Sequence, residues 1–181
     1  MPDYCLIATA IGPVGLAWSE TGIVRLQLPD SDSEKTRARL TRRLEAREAH
    51  PPEWLEPTVM LLQRYFAGAV VDFSSCPLDL SGVPELHRKL YAEMLRLGWG
   101  ETITYGQLAE RVGMPGAAQT VGQAMGRNPI PVIVPCHRVL ASGNKMGGFS
   151  APGGVRTKLG LLALEGVRLG LRDPAQMAFA F

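Results

Sequence analysis

The spacing of apolar residues changes period along this chain, and that change limits the architectures open to it. Near the start, Val14, Leu16 and Trp18 stand two apart, alternating with smaller residues, and Val24, Leu26 and Leu28 repeat the pattern after Glu20-Thr21-Gly22. A period of two belongs to a strand, and the tripeptide between the runs is a turn signal, so an antiparallel hairpin is predicted. From residue 86 the spacing lengthens: Leu86, Leu90, Met94 and Leu97 form a helical stripe ended by Gly98. Residues 74–83 hold Pro77, Gly82 and several serines, and a domain boundary is placed there. The chain therefore divides into residues 1–82, with the linker at their end, and residues 83–181.

Other helices carry their own start and stop signals. Residues 31–50 are predicted as a surface helix, with Ser31 and Glu34 at capping-box spacing. Its Arg37, Arg39, Arg42, Arg43 and Arg47 are interleaved with Glu34, Glu45 and Glu48; a nucleic-acid patch is one reading, and a solvated face of mixed sign is the favoured one. A second helix runs from about Pro57 to Phe66 and stops at Gly68. Thr104 and Gln107 make a capping box that opens a short helix through Val112, with Gly113 as its stop. After the turn Met114-Pro115-Gly116, a further helix runs from Ala117 to about Arg127 and ends before Asn128-Pro129. Such a pair is a helix-turn-helix candidate. Ala118, Gly122 and Gly126 recur every four residues and leave the second helix slim on one face. That face suits either a neighbouring helix or a narrow nucleic-acid groove, and spacing does not choose between them.

Composition leaves the function open. Of 181 residues, 46% are hydrophobic and 20% charged, the balance of an ordinary soluble globular protein. A net charge of +2 permits a nucleic-acid partner without requiring one. Three cysteines, Cys5, Cys76 and Cys136, with no CxxC spacing, argue against a disulfide framework and a cysteine-rich zinc site. They suit a reducing compartment, and a cytoplasmic location is expected. The first residues carry neither a basic region nor a long apolar run, so neither a signal peptide nor a membrane span is expected.

The most informative segment is residues 130–140, Ile-Pro-Val-Ile-Val-Pro-Cys-His-Arg-Val-Leu. It reads as an apolar strand that ends at Pro135, with Cys136, His137 and Arg138 directly after. A lone cysteine in apolar surroundings is commonly inert. Here His137 and Arg138 offer positive character that would lower the thiol pKa. Neighbours in an extended chain point to opposite faces, so a relay from Cys136 to His137 would need a bend, a bridging water, or both.

The run from Asn128 through Pro135-Cys136-His137-Arg138 to Val139 resembles the active-site signature of the O6-alkylguanine-DNA alkyltransferases. The likeness extends further. Residues 101–109 resemble that family's first helix of the helix-turn-helix. Gly147-Gly148-Phe149-Ser150 resembles its binding loop, residues 158–165 its last helix, and residues 67–82 its interdomain stretch. It implies an α+β protein: an N-terminal domain with a small antiparallel β-sheet and a helix, and a mostly helical, winged-helix-like C-terminal domain. It also implies an activity. A monomer would bind double-stranded DNA in the minor groove, flip out an alkylated base, and move the alkyl group from guanine O6, or thymine O4, to its own cysteine, once per molecule and with no cofactor.

Roles follow from the same resemblance. Cys136 would accept the alkyl group. His137 would act through a water as base, held by Glu165, and Asn128 would brace the turn that carries the site. Tyr105 would donate to guanine N3 and Ser150 would sit near O6, stabilising the departing base. Met125 and Pro131 would line the base pocket. The carbonyls of Cys136 and Val139 would read the guanine amino group, and Lys158 would support the loop. Ala117, Ala118, Gln119, Gly122 and Arg127 would face DNA. Gln119 stands where the family usually has an arginine, Phe149 replaces a tyrosine found in some relatives, and the binding loop is two residues longer than in some. Cys5 matches one zinc ligand of some relatives without the rest of the set, so no metal is expected. Two other readings compete: a damage-binding module without transfer, against which Cys136 argues, and a cysteine hydrolase that would turn over repeatedly.

Overall fold

The protein is described here from a computed structural model over residues 1–169; residues 170–181, the end of the expected C-terminal domain, lie outside the described residues. The chain falls into two units, residues 1–82 and a second beginning at Val83.

The first unit is built on a four-stranded sheet. Strands β1 (Asp3–Thr9), β2 (Gly12–Trp18) and β3 (Ile23–Gln27) pair antiparallel, and β4 (Arg47–Glu48) lies parallel beside the start of β1, giving the order β3-β2-β1-β4. The expected hairpin is β2–β3. Val14, Leu16 and Trp18 are buried as their alternation requires, but so is the small residue Ala17 between them. The reason is helix α1 (Ser33–Thr41), whose Leu40 packs on Tyr4 and Ala17. A Cβ on Gly15 would stand 2.9 Å from Leu40, so small residues in β2 make room for that helix. Helix α2 (Glu56–Phe66) packs against β1 and buries Leu62, Tyr65 and Phe66. Each such leucine contributes roughly 1.5–3 kcal/mol by leaving water.

Helix α1 is shorter than the predicted 31–50. Asp32, not Ser31, caps it, its carboxylate accepting from Lys35 N at 2.7 Å. The helix ends at Thr41, where the Arg25 guanidinium donates to the carbonyls of Leu40 and Arg42 (2.9 and 2.8 Å) and Arg43 turns into the left-handed region. The chain beyond is drawn into the sheet as β4, a long-range demand that helix spacing does not reveal. Its arginines are paired: Arg37 with Glu34 and Glu48, Arg39 with Asp30, Arg47 with Asp3. The solvated-face reading fits that arrangement.

In the second unit, helix α3 (Glu85–Met94) buries Leu90, Tyr91 and Met94 and ends before Gly98. Leu97 is buried in the following turn, where its carbonyl accepts from Arg138 Nη1 at 2.7 Å. Helix α4 (Tyr105–Arg111) opens on the predicted capping box, with Gln107 N donating to Thr104 Oγ1 at 3.2 Å and Thr104 N to Gln107 Oε1 at 2.9 Å. Gly113 and Gly116, with φ of +76° and +84°, turn the chain into helix α5 (Ala118–Gly126). The two-residue strands β5 (Ile103–Thr104) and β6 (Val139–Leu140) pair in parallel. That pairing brings the start of α4 beside the Cys136–Arg138 turn, which directly precedes β6. Helix α6 (Val155–Leu164) closes the described chain. None of the helices among the described residues is long and apolar enough to cross a membrane.

Residues 130–134 do not form the expected strand. Val134 N donates to Ile130 O at 2.9 Å, and Val132 sits at φ +76°, a region a β-branched residue rarely enters. Asn128 holds this turn from both sides: its Nδ2 donates to Val134 O at 2.8 Å and its Oδ1 accepts from Ile130 N at 3.0 Å. Pro131 and Pro135 have no N–H to offer a ladder. A single 3₁₀ turn, Cys136–Arg138, follows and supplies the bend that an extended reading lacked.

Candidate active site

A cavity of about 820 Å³ opens beside Cys136. The start of α4 contributes Tyr105, the slim face of α5 contributes Ala118, Gln119, Gly122 and Met125, and the loop before α6 contributes Phe149 and Ser150. No neighbouring helix fills the slim face: a Cβ on Gly126 would meet nothing within 4 Å, and one on Gly122 only the Tyr105 ring at 4.0 Å. The loop lies close on Tyr105. A Cβ on Gly147 would stand 2.7 Å from both the ring and its hydroxyl, so a side chain there would displace the phenol or the loop.

Behind the cavity wall stands a buried polar cluster. His137 Nε2 is 2.7 Å from Glu165 Oε1, and both side chains are fully buried. Arg138 donates to the same carboxylate from Nε (2.7 Å) and Nη2 (3.0 Å), and Gly100 N donates to Oε2 at 3.3 Å. Burial alone would raise the Glu165 pKa, but His137 and Arg138 hold it down to about 2. Burial lowers the His137 pKa, against the pull of Glu165, so the ring is neutral at neutral pH. With its Nε2 proton given to the carboxylate, Nδ1 carries the lone pair. Lys158, also buried, donates to the Val139 carbonyl at 2.5 Å and lies 5.7 Å from the centre of the Tyr105 ring. Burial lowers its pKa to about 8, opposed by Cys136.

The Cys136 thiol corrects an expectation. Its pKa is raised, because burial outweighs the Asn128 side chain, the Lys158 charge and the backbone N–H groups that favour thiolate. Arg138 does not expose thiolate, since its charge is committed to Glu165. The resting sulfur is a thiol, and a base is needed to activate it. The Tyr105 pKa is likewise raised, by burial and then by Cys136, which keeps its phenol a donor.

Residues 85–167 match the family profile described as "6-O-methylguanine DNA methyltransferase, DNA binding domain", and residues 4–80 match "6-O-methylguanine DNA methyltransferase, ribonuclease-like domain". The chain belongs to the 6-O-methylguanine DNA methyltransferase family. The activity that goes with membership is DNA repair by alkyl transfer to a cysteine of the protein itself. A methylated-DNA–protein-cysteine methyltransferase of Mycobacterium leprae is 39% identical over 161 residues, 86% of this chain and 87% of its own length. Its Mycobacterium tuberculosis counterpart is 36% identical over 165 residues, 91% and 93% of the two chains. A Mycobacterium tuberculosis OGT solved in complex with DNA superposes with a TM-score of 0.75 at 34% identity, covering 90% of this chain and 92% of that one.

Within this methyltransferase fold, the residues singled out from sequence fall into two groups. Cys136, Tyr105, Met125, Ser150, Ala118, Gln119 and Gly122 share the cavity wall. His137, Glu165, Asn128 and Lys158 stand behind or beside Cys136. Others lie outside that wall: Pro131 in the Asn128-clamped turn, Ala117 as the N-cap of α5, Arg127 exposed at its C-cap, and Val139, buried, with its carbonyl engaged by Lys158. Sequence reasoning missed Gly100 and Gly147, which carry no side-chain signal, and the pairing of Arg138 with Glu165, for which adjacency to His137 was the only hint. Among the described residues, no three His, Cys, Asp or Glu side chains converge to hold a metal.

Proposed function

We propose that this chain repairs DNA by moving one alkyl group from O6 of a flipped guanine to Sγ of Cys136, once per molecule. The observation that carries the reading is a thiol in the wall of an open cavity with the buried His137–Glu165 pair behind it. His137 takes the thiol proton through a water. The S–C bond forms as the C–O6 bond breaks, and the electron pair leaves with the guanine, which accepts a hydrogen bond from Tyr105 at N3. Ser150 supports O6, Met125 and Pro131 enclose the base, and Asn128 and Lys158 hold the turn and loop around it. Double-stranded DNA bearing alkylated guanine, and O4-alkylthymine as a further base, is the partner. The slim face formed by Ala117, Ala118 and Gly122 enters the minor groove, Gln119 stands beside the flipped base, and Arg127 meets a phosphate. The protein acts as a monomer in the cytoplasm.

Mass spectrometry after incubation with an O6-methylguanine oligonucleotide tests this. One added methyl per molecule on Cys136, abolished by Cys136→Ala, is expected. Label on Cys5 or Cys76, or repeated turnover, overturns it.

A further inference from the structure

Glu165 is shared between two cations of different kinds. Oε1 meets His137 Nε2 at 2.7 Å and Arg138 Nη2 at 3.0 Å; Oε2 meets Arg138 Nε at 2.7 Å and Gly100 N at 3.3 Å. Arg138 is itself fixed by the Leu97 carbonyl at 2.7 Å. Gly100 sits at φ +70°, and a Cβ there would stand 2.9 Å from the Glu165 carbonyl oxygen, so the backbone closes on this carboxylate tightly. A buried carboxylate facing a histidine alone favours imidazolium. A guanidinium is permanently charged and, bidentate, neutralises the carboxylate first.

We infer that Arg138 is a positioning residue for the transfer: by engaging both oxygens of Glu165 it leaves the carboxylate able to orient His137 but unable to hold it as imidazolium at rest. The ring then stays available as a base into mildly acid solution. The inference rests on the base role proposed above for His137. The charged groups around the ring are Glu165 and Lys158, from the end and the body of α6, and Arg138 on its own turn, with the ionisable Cys136 next to it. Burial, Arg138 and Lys158 all act to lower the ring's pKa, and only Glu165 among these groups opposes them.

The test is nitrogen NMR of the histidine-labelled full chain, which has three histidines; His50→Gln and His87→Gln variants assign the His137 signal. In the wild type, His137 should stay neutral with its proton on Nε2 well below pH ~6.5, where a free histidine titrates. In Arg138→Gln the ring should titrate at least about one unit higher than in the wild type. Single-turnover transfer should then fall roughly tenfold for each pH unit below that new value, one unit being a tenfold change in the neutral fraction. Arg138→Lys keeps a charge and should restore much of the wild-type profile. A wild-type ring that titrates at or above ~6.5 overturns the inference, as does an Arg138→Gln ring whose titration is unmoved. If glutamine unfolds the chain, the wild-type titration decides alone. Failure of the parent reading looks different: His137→Gln would then transfer at the wild-type rate whatever Arg138 does to the ring.

Discussion

The two units handle charge in opposite ways. In the first, Arg37, Arg39 and Arg47 meet their acidic partners at the surface, and the interior is apolar but for Thr36 and Thr58. In the second, His137, Arg138, Lys158 and Glu165 are all buried around one thiol. Exposed pairs contribute little to stability, commonly below about 1 kcal/mol. Buried ionic groups are weak stabilisers for a different reason: desolvation offsets their attraction, and breaking one costs about 3–5 kcal/mol. A fold that needed only stability would gain little from the second arrangement. What the cluster supplies is a neutral, oriented histidine and a carboxylate kept ionised, which is chemistry.

The sharpest way to break this comparison is to remove the cluster's base. His137→Gln should slow single-turnover transfer by roughly 100- to 10,000-fold. Glu165→Gln should slow it less, since the ring keeps its place but loses its orienting charge. Unchanged rates in both would reduce the cluster to packing.

In the first unit the large effect should be on stability instead. Leu16 is fully buried, and Leu16→Ala should cost about 2–5 kcal/mol in denaturant unfolding. The transfer rate per folded molecule should not change. A rate loss beyond a few-fold would mean that this unit takes part in the reaction.

Acid should single out the second unit. The Glu165 pKa is depressed from 4.5 to about 2, so its stabilisation is complete above 4.5 and is lost as pH falls toward 2. The His137 pKa is also lowered, so the unfolded ring binds its proton first and stability falls as pH drops below 6.5. Lys158, lowered from 10.5 to about 8, has the reverse consequence at high pH: stability rises between 8 and 10.5 as the unfolded chain loses its preference for the proton. Urea unfolding of the full chain across pH 4–7 should show the acid loss, and Glu165→Gln should flatten its lower part. A wild-type curve flat over that range would contradict the sign worked out here.

The smallest effect is expected at the surface. Arg39→Ala removes the Asp30 pair and should shift stability by less than about 1 kcal/mol, diminishing further in high salt. A larger loss would erase the contrast between the units.

Much of the architecture was legible because its signals are local. The Thr104–Gln107 capping box, Pro57 at the start of α2, the turning glycines Gly113 and Gly116, and the β2–β3 alternation each involve residues a few positions apart. The end of α1 was not legible, because β1, more than thirty residues earlier, recruits Arg47–Glu48 as a strand. The turn at residues 130–134 hid its nature behind an apolar, β-branched composition; the Asn128 amide and two prolines override that preference.

The sequence alone determined where helices and strands start, that Cys136 has a histidine and an arginine for neighbours, and through its resemblance which family the chain resembles. The tertiary structure decided what those neighbours do. Whether a thiol beside two cationic side chains is activated depends on burial and on where their charges are spent. Arg138 meets Glu165, and the pairing of β5 with β6 brings Cys136 and Tyr105 to one cavity. These are distances across 27 and 31 positions of chain, and no local pattern encodes them, because the groups interact only after the fold has closed around them.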